Sequence, residues 1–124
     1  MARGFLIIAA LLGMLAVILG AFGAHALAAV LDARQLTVYQ TAVSYQFWHA
    51  LALLAVALLA QRQANRWLLW SGISFLLGVL LFCGSLYAMT LTGWRQLGII
   101  TPFGGLAFIL GWVFLALSQW RQEH

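Results

Sequence analysis

Tyr45, Gln46 and His49 lie inside the apolar stretch Thr41 to Ala60, which reads TAVSYQFWHALALLAVALLA. Positions three and four apart share one face of a helix, so these side chains are read as one polar face. An ionisable group in an apolar stretch of membrane-spanning length costs roughly 3 kcal/mol on insertion scales. Such a residue needs a partner or a purpose. Three chemistries fit. The first is an internal network in which Tyr45, Gln46, His49, Ser85 and Thr101 bond one another and backbone carbonyls, at about 0.6 kcal/mol per bond. The second is a small-molecule, lipid, quinone or proton site with His49 as proton carrier. The third is a metal or haem site.

The third has the least support. His25 and His49 are the histidines in or near the spans, and in an ideal hairpin they differ in depth by roughly 16 Å. His49 with Cys83 lacks a third ligand at matching depth. The single cysteine excludes an internal disulfide and any Cys-x-x-Cys motif. No Ser-His-Asp set, phosphate-cradling loop or carboxylate pair is present, so no catalytic residue is assigned, and neither a cofactor nor a metal is expected.

The elements that must position these groups follow from composition. Of 124 residues, 65% are hydrophobic and 6% charged, against roughly 25% charged in soluble domains. A water-facing surface cannot be built from this. The chain reads as an integral membrane protein, all-α, a four-helix transmembrane bundle of two antiparallel hairpins. Its length suits about four spans of ~20 residues, placed near 5–25, 41–60, 67–91 and 97–118, in a single domain. An Ala24-His25-Ala26 string after the first span resembles a signal-cleavage site, but the apolar stretch before it is longer than a typical h-region of about 7–15 residues. Asp32 followed by Gln35 is a capping-box pattern, so the second helix is expected to begin near Ala33. Thr101-Pro102 reads as N-cap and first helical residue of the fourth, leaving Leu97 to Ile100 irregular.

Small residues recur in the spans at helical spacing, which lets backbones approach where lipid gives no hydrophobic drive for association. The packing positions singled out are Gly13, Gly20, Gly23, Gly78, Gly104, Gly105 and Gly111. Their seams predict helix crossings near +20°. Ideal rods place His49 level with Gly78 near the bilayer centre, and Tyr45 level with Phe82, Cys83, Gly104 and Gly105. Ser85, Tyr87 and Thr101 fall further out, so the polar groups gather in one half of the membrane. The candidate pocket is therefore Tyr45, Gln46, His49, Ser85, Tyr87 and Thr101.

The net charge of +4 comes from arginines scattered singly or as one close pair, without a stripe that could follow a phosphate backbone. Nucleic acid is not an expected partner; the lipid bilayer is, with a membrane-protein partner or a second copy of the chain as further candidates. Arg3, Arg62, Arg66 and Arg121 fall on one side of a four-span topology, and Arg34 and Arg95 with Asp32 on the other. The positive-inside rule then puts both termini in the cytoplasm.

Five strings in order, Gly20-Ala21-Phe22-Gly23-Ala24-His25, Tyr45-Gln46-Phe47-Trp48-His49, Gly84-Ser85-Leu86-Tyr87, Thr101-Pro102-Phe103-Gly104-Gly105 and Gly111-Trp112, resemble the YgdD-like family of small bacterial inner-membrane proteins. The resemblance covers nearly the whole chain. It implies a four-helix inner-membrane protein and brings no assigned reaction. The chain departs from the family pattern at Cys83, where serine is common, and at Ala28-Ala29, where a basic residue often follows. A serine-like role at position 83 weakens any metal-binding thiolate there. The reading with most support is a non-enzymatic scaffold or accessory subunit of a membrane complex. The alternative is a transporter-like or ligand-binding protein using the pocket around His49.

Overall fold

The computed structural model describes residues 1–120; Arg121, one of the charges used for orientation, lies outside the described residues. Its backbone forms four helices long and apolar enough to cross a membrane. They are α1 (Ala2–Leu27), α2 (Ala33–Arg62), α3 (Arg66–Thr92) and α4 (Thr101–Trp120), the last preceded by a 3₁₀ turn over Arg95–Ile99. No strand occurs among the described residues.

Local chemistry sets the helix ends. Asp32 accepts a hydrogen bond from the Gln35 backbone N–H at 2.8 Å, and the Gln35 side chain accepts one from the Asp32 N–H at 3.2 Å. This reciprocal box satisfies two donors that a helix start leaves orphaned. Asn65 caps α3 by accepting from the Leu68 N–H at 2.9 Å. Gly93, at φ 74°, closes α3 in a left-handed conformation that a side chain would strain. The start of α4 departs from the expectation. Thr101 is already helical, because Phe103 and Gly104 donate to the Ile100 carbonyl, and its hydroxyl is turned to α3 instead of capping. Pro102 fits inside this first turn because its missing N–H would have had no partner there.

The neighbours pack antiparallel. Tyr39 reaches the Leu19 carbonyl and Gln46 the Leu12 carbonyl across α1–α2. Ser71 reaches the Gly111 carbonyl and Ser85 meets Thr101 across α3–α4. Between the hairpins, Tyr45 packs on Phe82 and Tyr87 bonds Gln46. The central pair α2 and α3 buries a far larger share of its residues than α1 and α4 do. Leu53, Val56, Leu68 and Phe75 are fully buried there. The outer faces of α1 and α4 present Ile7, Leu11, Met14, Phe103, Leu106 and Ile109 outward, the apolar surface that lipid requires.

Two π-helical segments, Ile18–Gly23 in α1 and Val79–Cys83 in α3, were not anticipated. A π segment widens the turn and loosens the regular carbonyl ladder. In each case a hydroxyl takes one of its carbonyls: Tyr39 donates to Leu19 at 2.6 Å, and Ser85 donates to Phe82 at 2.9 Å. Re-satisfying loosened backbone is obligatory where no water can do it.

The packing glycines divide. A Cβ at Gly104 would strike the backbone of Phe82, so α4 and α3 touch there main chain to main chain. Gly78 makes room for the Phe108 ring, Gly111 for Phe75, Gly23 for Tyr39 and Gly20 for Val43. Gly13 and Gly105 do not belong with them, since a Cβ at either would meet nothing within 4 Å. Both stand on the margins of their helix seams, lining open grooves. Gly72, not singled out from sequence, is closed over by Phe5 of α1.

Candidate functional site

His49 stands at the junction of α2, α3 and α4. Its Nδ1 lies 2.7 Å from the Tyr45 carbonyl, one turn back, and its Nε2 lies 3.2 Å from the Trp112 indole nitrogen. A carbonyl can only accept and an indole N–H can only donate. Nδ1 therefore carries the hydrogen, Nε2 accepts, and the ring is the neutral Nδ1–H tautomer. Neither nitrogen is free to take a proton or a metal without breaking one of these bonds. The imidazole stacks on Phe108 with centroids 3.6 Å apart, and Phe75 lies against it at 5.7 Å.

The ring's seat is made by an exchange of glycines. Gly78 of α3 admits Phe108 of α4, and Gly111 of α4 admits Phe75 of α3. Both phenylalanines then wall His49. Trp112, on the same stretch of α4, adds an edge-on contact to Phe75 at 5.1 Å while giving its N–H to His49.

Gln46 belongs to a different junction. Its amide nitrogen donates to the Leu12 carbonyl at 2.9 Å and its amide oxygen accepts from the Tyr87 hydroxyl at 2.7 Å. One side chain thus ties α1, α2 and α3 together. Tyr39 completes this cluster with its ring edge-on to Tyr87 at 5.7 Å. Ser85 and Thr101 form a third site at 2.6 Å between α3 and α4. Since Ser85 spends its one hydrogen on the Phe82 carbonyl, Thr101 is the donor in that pair.

The six residues grouped from sequence are thus three separate clusters. Tyr45 and His49 face α4, Gln46 joins Tyr87 of α3 to the Leu12 carbonyl of α1, and Ser85 and Thr101 form their own pair. The reason is angular. Successive helix residues are about 100° apart, and α2 has neighbours on more than one side, so positions 45 and 46 enter different seams. Sequence reasoning missed Tyr39 and Trp112. For Trp112 the signal was present: it lies one turn after Phe108 and next to Gly111 on a small-residue seam, which places it inside.

Tyr45, His49 and Trp112 also line a groove of about 510 Å³ between α2 and α4, with Gly105, Leu106 and Ile109 on its rim. No three His, Cys, Asp or Glu side chains come together among the described residues. No side-chain polar atom buried among the described residues lacks a hydrogen-bond partner.

Four apolar helices, joined by short polar turns and cross-bonded by polar side chains, define a small polytopic α-helical membrane protein. The family model described as "Protein of unknown function (DUF423)" matches residues 19–105. The UPF0382 inner membrane protein YgdD of Escherichia coli strain K12 is 40% identical over 122 residues, covering 98% of this chain and 93% of that protein. A UPF0382 membrane protein of Haemophilus influenzae is 42% identical over 123 residues, covering 99% and 98%. One from Staphylococcus haemolyticus is 42% identical over 117 residues, covering 94% and 95%. This chain belongs to the DUF423 family. No solved structure matches it.

Proposed function

We propose that the chain is a non-enzymatic scaffold of the bacterial inner membrane, an accessory subunit that works by its contacts with lipid and with other membrane proteins. The observation that supports this reading is the inward use of its polar groups. Gln46, His49, Ser85, Tyr87 and Thr101 all bond within the four helices. Committed to internal bonds, these groups give rigidity and register rather than chemistry. Native mass spectrometry of the protein released gently from its own membrane tests this. A partner protein in fixed ratio is the expected result; a bare monomer overturns it.

A second reading rests on the groove between α2 and α4. Its walls combine the aromatic faces of Tyr45, His49 and Trp112 with aliphatic Leu106 and Ile109, a lining suited to an apolar chain or flat ring. In the same experiment a stoichiometric small-molecule mass in place of a partner favours this site.

We infer that both termini lie in the cytoplasm, a reading supported by Arg3, Arg62 and Arg66 outnumbering Arg34 and Arg95. Alkaline phosphatase fused after Trp120 should be inactive, and the same enzyme fused after Thr92 active. The reverse pattern inverts the topology.

A further inference from the structure

We propose that the cavity between the start of α2 and the α3–α4 connection binds the phosphodiester headgroup of an anionic glycerophospholipid, held by Arg34 and Arg95. The cavity measures about 340 Å³; Arg34 and Arg95 are its cations, Asp32 is its carboxylate, and Val38, Met89 and Gly98 give it an apolar floor.

The other polar side chains at this cavity are tied to backbone. Asp32 Oδ1 accepts from the Gln35 backbone N–H and Gln35 Oε1 accepts from the Asp32 N–H. Thr90 donates to the Leu86 carbonyl at 2.9 Å. Neither Arg34 nor Arg95 has a hydrogen-bond or ion-pair partner among the described residues. Two guanidinium forks, each with five donors, therefore border the same cavity uncommitted. A phosphate is the acceptor whose geometry such forks match.

Depth selects a lipid over a free ion. Arg34 stands in the first turn of a helix of 30 residues, about 45 Å long against a hydrocarbon core of ~30 Å. This end of α2 therefore stands at the headgroup level. Val38, one turn deeper, begins an apolar wall that Met89 continues on the facing helix. A free phosphate would use the guanidiniums and leave that wall empty, whereas a phospholipid uses both.

Charge narrows the class. Arg34 and Arg95 against Asp32 leave the cavity at one net positive charge. A headgroup carrying a single negative charge neutralises it. A zwitterionic headgroup brings its own ammonium and leaves the excess in place.

The test is native mass spectrometry of the full chain in detergent, titrated with phosphatidylglycerol, phosphatidylethanolamine of the same acyl chains, or inorganic phosphate. The wild-type chain should retain one phosphatidylglycerol and neither alternative. Arg34→Gln with Arg95→Gln should weaken retention at least about tenfold. Arg95→Gln alone, in the turn outside the helices, should weaken it by a smaller factor. Arg3→Gln with Arg62→Gln, at the opposite end, should leave it unchanged. Equal retention by the Arg34/Arg95 double variant overturns the site. Equal retention of phosphatidylethanolamine overturns the charge argument, and saturation by inorganic phosphate overturns the lipid assignment. None of these results depends on whether a partner protein is found.

Discussion

At the scale of single residues, the informative fact about His49 is that its two nitrogens face groups of opposite kind. The Tyr45 carbonyl and the Trp112 N–H together leave one tautomer. A histidine fixed in this way is a joint between helices, which is why the proton-carrier idea loses ground to the structural one. Trp112→Phe keeps the aromatic packing and deletes the donor. Its expected cost is close to the ~0.6 kcal/mol typical of membrane hydrogen bonds, with about 1.7 kcal/mol as the upper end. The decisive form is a cycle with His49→Leu, read by reversible unfolding in detergent or bicelles. Trp112→Phe should cost less in the leucine background than in the wild type. Equal costs in both backgrounds would mean that the indole and imidazole are not coupled.

At the scale of elements, α3 and α4 meet through glycine in two different ways. Adjacent Gly104 and Gly105 separate them cleanly. Gly104→Ala drives a methyl into the Phe82 backbone, which cannot yield as a flexible side chain would, and overpacking of this kind costs about 1–3 kcal/mol. Gly105→Ala meets open space and gains up to about 1 kcal/mol of helix propensity. Thermal unfolding should rank the chains with Gly104→Ala lowest and Gly105→Ala at or above wild type. An identical loss in both variants would refute the backbone contact. The same pair marks what the sequence could convey. Helix number, the Asp32–Gln35 start and the register that sets Tyr45 beside Phe82 were legible, because hydropathy, caps and rise per residue are local properties. Which side of α4 is covered was not, since a small-residue stripe reads alike whether a neighbour or lipid lies against it. The π segments were equally hidden. One carbonyl in each is taken by a hydroxyl outside the segment, that of Tyr39 from the neighbouring helix and that of Ser85 from three residues on in the same helix, and neither leaves a periodic signature.

At the scale of the whole molecule, the polar clusters act as rivets at different junctions: Gln46 across α1, α2 and α3, Ser85 across α3 and α4, and His49 across α2 and α4. The two that start from α2 carry a consequence for how the protein is made. A ribosome delivers these helices in order. Gln46 finds the Leu12 carbonyl already waiting in the bilayer, but its amide oxygen stays unanswered until Tyr87 emerges. His49 waits longest, with 63 positions of chain to be synthesised before Trp112 arrives. Until then the nascent protein holds a bare imidazole nitrogen in hydrocarbon. The last helix to be born is thus the one that completes the second, and a chain interrupted before it carries its own mark of incompleteness into the membrane.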